Sequence, residues 1–106
     1  MKIAYIAGPY RAKNGRTVLQ NISAAQAVAV KYWRKGFAVL CPHMNSQLLD
    51  GIVSDEHFLS AGLNMMRRCD IVVAMKNWSE SEGASREIDL AEDLEMTIIY
   101  DDGVVI

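Results

Sequence analysis

The chain has 106 residues, a formal net charge of −2 and 51% apolar residues. That length suits one domain, spanning 1–106, which can bury roughly 60–70% of its unfolded surface. The basic residues form no stripe, which excludes a partner of nucleic acid polymers. The acids form no tail, and no apolar run nears the ~18 residues of a membrane span.

Met1-Lys2-Ile3-Ala4 enters a strand directly, with no leader-type apolar region, so a cytoplasmic setting is expected. Ile3 to Ala7 reads as a buried strand stopped by Gly8-Pro9, and Asn14-Gly15 as a turn. From Arg16 to Lys35, Val18, Ile22, Ala25, Ala29 and Trp33 recur at helical spacing and predict one inward face. Gly36 stands where a helix-ending glycine belongs. Phe37 to Cys41 is a second strand, closed by Pro42. His43 to Ser54 reads as a long loop with a turn of helix at Gln47-Leu48-Leu49, and loops of that length in small domains usually carry function. Asp55 to Arg68 is a helix with Leu59, Leu63 and Met66 inward. Ile71 to Met75 is a third strand. In the polar loop that follows, Ser79 and Glu82 have capping-box spacing. Gly83 to Glu95 is the last helix, with Ala84, Ile88, Ala91 and Leu94 inward. Thr97 to Tyr100 is a fourth strand, Asp101-Asp102-Gly103 a turn, and Val104 to Ile106 a short apolar tail.

Strands alternating with helices imply right-handed crossovers and a parallel sheet covered on both faces. The expectation is an α/β, three-layer, flavodoxin-like domain with about four strands in the order 2-1-3-4. The order reverses between the first and third strands. Ligands bind at such a switch point, beyond the carboxyl ends of the strands. Tyr5, Arg11, Ser81 and Glu87 are therefore expected to share one pocket.

Taken singly, each candidate also has a plain structural reading. Gly8-Pro9-Tyr10-Arg11 lets backbone approach a ligand and offers Arg11 and Arg16 to a phosphate; equally, it is a turn with solvated arginines. Ser81-Glu82-Gly83 opens a helix, where free N–H groups favour an anion, or where serine simply caps. Glu87 is a pocket carboxylate or a surface glutamate. His43 lies on the functional edge of the sheet, yet lone histidines are more often structural. Cys41 and Cys69 read as buried reduced thiols, since a Cys41/His43 metal pair lacks further spaced ligands. The apolar fraction and the alanine-rich helix faces at 24–30 predict a homodimer or a larger homo-oligomer.

Together, Tyr5-Ile6-Ala7-Gly8-Pro9, Cys69-Asp70-Ile71-Val72-Val73 and the run from Trp78 through Ser81, Gly83 and Ala84 to Glu87 resemble the nucleoside 2-deoxyribosyltransferase-like superfamily, in particular its small bacterial and phage-type members. The likeness spans nearly the whole chain. It implies an N-glycosidase or 2-deoxyribosyltransferase acting on a nucleoside or nucleotide, with Glu87 as nucleophile and the Tyr5 hydroxyl beside it. It implies that Ser81 and the loop of Gly8, Pro9 and Arg11 contact a 5′-phosphate, with Gly83 at the same helix start and His43 in a substrate loop. No metal or organic cofactor is implied. The resemblance also implies an aspartate that assists the leaving base, where this chain has Gly62; only Asp55 and Glu56, one to two turns away, are at hand. Slow turnover is expected in consequence, and a nucleotide-binding module with weak catalysis is the alternative.

Overall fold

The structure, a computed structural model, describes residues 1–103; the apolar tail read at Val104 to Ile106 lies outside them. Four strands, β1 (Ile3–Ala7), β2 (Ala38–Leu40), β3 (Ile71–Ala74) and β4 (Thr97–Tyr100), form one parallel sheet in the order β2-β1-β3-β4. Tyr5 pairs with Leu40 on one side and Val72 on the other. Alternation divides the strands between two faces. Ala4, Ile6, Ile71 and Val73 pack with Ala25, Ala29 and Tyr32 of helix α1 (Val18–Arg34). Tyr5, Ala7, Val72 and Ala74 pack with Met66 of α3 (Asp55–Met66) and with Ile88 and Ala91 of α4 (Glu82–Asp93). Each large side chain so enclosed is worth about 1.5–3 kcal/mol relative to exposure.

The helices start where their caps dictate. Thr17 and Gln20 form a reciprocal capping box on α1, Ser54 accepts from the His57 amide on α3, and Ser81 accepts from the Ala84 amide on α4. The box expected from Ser79 and Glu82 does not form, because Trp78–Glu80 coil into a 3₁₀ turn and Ser81 takes the cap. The inward face of α1 also differs from the apolar count. Asn21, Ala25, Ala29 and Tyr32 are buried, while Trp33 is 54% exposed. The polar tips of Asn21 and Tyr32 have hydrogen-bond partners inside, so burying them is not penalised and the helix rotates onto that stripe. Leu94, expected inward, is exposed because α4 ends at Asp93 and Glu95 turns away with φ 56°. No helix forms at Gln47 to Leu49. The short helix α2 lies earlier, at Pro42–Asn45, with Pro42 in a first-turn position that needs no N–H.

After β1 the chain runs under Met75. A Cβ on Gly8 would lie 2.2 Å from Met75 Sδ and 2.8 Å from its Cγ. Gly8→Ala should therefore cost about 1–3 kcal/mol by overpacking. Denaturant titration should show that penalty shrink in a Met75→Ala background, where Sδ and Cγ are gone and the Cβ, 3.0 Å away, remains.

Candidate active site

A cleft of about 510 Å³ opens beyond the carboxyl ends of β1, β2 and β3, within the ~300–1,000 Å³ usual for small-molecule sites. It brings together all eight residues singled out from the sequence: Tyr5, Gly8, Pro9, Arg11, His43, Ser81, Gly83 and Glu87 line it.

Glu87 sits at its floor. Capping by Ser81 starts α4 so that Glu87 and Ile88 turn inward together, and the Glu87 side of the helix faces β1. The residue is 8% exposed. The Tyr5 hydroxyl donates a short hydrogen bond to Glu87 Oε2. Oε1 has no hydrogen bond among the described residues and is left to the cleft. Burial disfavours the carboxylate and lifts the Glu87 pKa to about 7; the bond from Tyr5 pulls the other way but does not offset it. Burial, and then the Glu87 charge, push the Tyr5 hydroxyl far above the tyrosine range, so it stays a donor.

The wall opposite is backbone. Gly62 of α3 comes so close that a Cβ there would stand 2.8 Å from the Tyr5 hydroxyl oxygen and 3.8 Å from Glu87 Oε2. Gly62 is thus the position where the chain presses against the Tyr5–Glu87 pair. The sequence marks Gly62 only as the place of an aspartate that the resemblance implies, and not as a close approach.

The loop after β1 is held from two sides. His43 Nε2 donates to the Pro9 carbonyl at 2.9 Å, since a carbonyl only accepts. Its Nδ1 lies 3.9 Å from Cys41 Sγ, and burial lowers its pKa, keeping the ring neutral. On the other side Asn21 donates to the carbonyls of Tyr10 and Arg11 at 3.1 and 2.9 Å and accepts from Arg16 Nε at 3.0 Å. Asn21 carries no motif that marks it in the sequence. Its signal is a polar residue at the spacing of Ala25 and Ala29.

Exposed polar contacts cross the rim. Arg11 pairs with Asp55, Tyr10 donates to Asp50 at 3.1 Å, Asn14 to Glu80 at 2.8 Å, and Arg86 pairs with Glu56 at 3.4 Å. Arg11, offered to a phosphate by the sequence, thus meets a carboxylate of its own chain.

The sheet order and the covering helices are those of an α/β, flavodoxin-like domain, and a structural likeness shows the fold to be deoxyribosyltransferase-like. The chain is similar in structure to a "2-desoxiribosyltransferase from Leishmania mexicana", with 20% identity and a TM-score of 0.64 over 92% of this chain and 62% of that one. It therefore spans less than two thirds of that protein's length, and at this identity the likeness is one of fold. Residues 1–100 match the family described as Domain of unknown function (DUF4406), and the chain belongs to that family. No curated protein matches it. Among the described residues no helix is long and apolar enough to cross a membrane.

The buried carboxyl makes stability depend on pH. Well below pH 4.5 Glu87 is protonated in folded and unfolded chains alike. Between 4.5 and about 7 the unfolded chain releases the proton while the folded chain keeps it, so stability falls as pH rises. The loss is complete above the folded value and amounts to about 3 kcal/mol. Chemical denaturation between about pH 4 and pH 8 should show this decline in the wild type relative to Glu87→Gln. Neutral His43 opposes it at acid pH, but is common to both proteins.

Proposed function

We propose that the cleft cleaves or transfers the N-glycosidic bond of a nucleoside or nucleotide, with Glu87 as nucleophile. The observation that supports this best is the buried Glu87 carboxyl at the cleft floor, one oxygen held by Tyr5 and the other open to the cleft. The fold shared with a protein titled a 2-deoxyribosyltransferase agrees with it. Glu87 Oε1 attacks the anomeric carbon, the C–N bond breaks with its electron pair passing to the base, and a glycosyl ester forms. Water or a second base then attacks the anomeric carbon and restores the carboxylate. Tyr5 fixes the carboxyl in line. His43 and Asn21 serve by holding the Pro9–Arg11 backbone.

A screen of nucleosides and 5′-monophosphates for free-base release by chromatography tests this reading. Glu87→Gln should abolish release while ligand binding survives, because the amide keeps the shape and loses the nucleophile. Release should rise with pH through about 7, as the carboxylate becomes available. Unchanged base release by the variant would remove Glu87 from the reaction.

Arg11, with Ser81, Gly83 and the Gly8-Pro9 backbone, makes the phosphate side of the cleft. A phosphate must there displace Asp55 from Arg11. In calorimetry, Arg11→Ala should narrow the preference for monophosphates over nucleosides by about 1–3 kcal/mol, and Asp55→Asn should widen it. Equal affinity for both ligand classes in the wild type would rule the phosphate site out.

A further inference from the structure

We propose that the substrate is an N-glycoside whose base is already cationic, an N-alkylated purine or a pyridinium, so that the base departs as a neutral molecule without a proton from the protein. The inference rests on the Glu87 reaction proposed above and narrows its substrate.

The groups around the floor carry the argument. On the α3 side Gly62 faces the Tyr5–Glu87 pair, close enough that a Cβ there would stand 2.8 Å from the Tyr5 hydroxyl oxygen, and it brings no functional group. Tyr5 spends its proton on Glu87, and His43 spends its Nε2 proton on the Pro9 carbonyl. The remaining carboxyls that line the cleft, Asp50, Asp55, Glu56, Glu80 and Glu82, are all exposed. Asp55 and Glu56 are ion-paired to Arg11 and Arg86. An acid that keeps its proton at neutral pH needs burial or a like charge beside it. Among the described residues of the cleft, only Glu87 is a buried carboxyl, and it is committed as the nucleophile.

Charge agrees. Besides Glu87, five acidic and four basic side chains line the cleft, and with the Glu87 carboxylate formed the excess of negative charge favours a cation over a neutral base. So does the chemistry of the step. With a cationic base, the Glu87 carboxylate attacks the anomeric carbon, the C–N bond breaks, and its electron pair neutralises the ring. One negative and one positive charge vanish together at the buried Glu87 carboxylate, where charge is costly. With a neutral base the negative charge only moves, from the carboxylate to a departing ring that nothing protonates. In the second half, water attacks the anomeric carbon, Glu87 leaves as carboxylate, and the water's proton passes to solvent. The sum is cationic glycoside plus water giving free sugar, neutral base and a proton.

The test compares matched pairs that differ only in base charge: 7-methylguanosine against guanosine, in the ribose and 2′-deoxyribose series, as nucleosides and as 5′-monophosphates. Spontaneous release is subtracted, and Glu87→Gln, shown to be folded by its thermal melt, serves as control. A protein that supplies an acid narrows the intrinsic gap between such pairs. Here the methylated member should be cleaved at least about 10²-fold faster, the least that general acid catalysis usually contributes, and Glu87→Gln should lose both activities. A smaller gap, or faster cleavage of guanosine, would overturn the cationic-substrate inference while leaving the Glu87 reaction standing. Release from no member of any pair would sink both.

Discussion

Everything in this cleft depends on one hydrogen bond between residues 82 positions apart, from the Tyr5 hydroxyl to the Glu87 carboxyl. A carboxyl taken out of water loses its hydration, and a single donor does not replace it; hence a Glu87 pKa near 7 rather than 4.5. Tyr5 has no freedom to leave. Its ring is packed among Met66, Val72 and Ile88, and Gly62 closes over its hydroxyl. The strand therefore aims the tyrosine, the Ser81 cap aims the glutamate, and the glycine of α3 sets how near the third wall comes.

Around this rigid floor the upper cleft is built differently. The Pro9–Arg11 backbone is fastened by two buried polar side chains, His43 and Asn21, which use the carbonyls that a loop leaves unpaired. Among the described residues the rim is joined by exposed contacts such as Arg11 with Asp55 and Arg86 with Glu56. Surface ion pairs of this kind are worth about 0–1 kcal/mol each. Ligand groups can replace them at little cost, whereas the floor has no such exchangeable partners.

Much of this was legible in the residues. Apolar runs such as Ile71 to Met75, cut by polar turns, located the strands, and strand–helix alternation led to the observed order β2-β1-β3-β4. The Gly8-Pro9 loop and the Ser81–Glu87 helix start meet because both follow strands on the same edge. What stayed hidden depends on partners distant in sequence. The face of α1 differs from its apolar pattern because an apolar count credits Trp33 and passes over Asn21, whose carbonyl partners in the Tyr10–Arg11 loop no periodicity reveals. Gly62 looked like a missing acid. In space it is also a close approach, since its Cα stands where any side chain would strike Tyr5. Whether a helix ends at Asp93 or Glu95 is decided by a local backbone turn, so Leu94 lies exposed where helical spacing points it inward.

The central place of β1 governs how the molecule comes into being. Its ladders join Ile3 to Ala38 and Ala4 to Ile71, so the earliest strand is completed only by chain made much later. Pairings across such long separations are slow, because loop closure must precede any gain from contact. On a ribosome, the segment carrying Tyr5 emerges ahead of β3 and stays without that neighbour until residues 71–74 have followed it. The apolar run of Ile3 to Ala7 therefore stays without its β3 ladder, and open to other pairings, until that later chain is made.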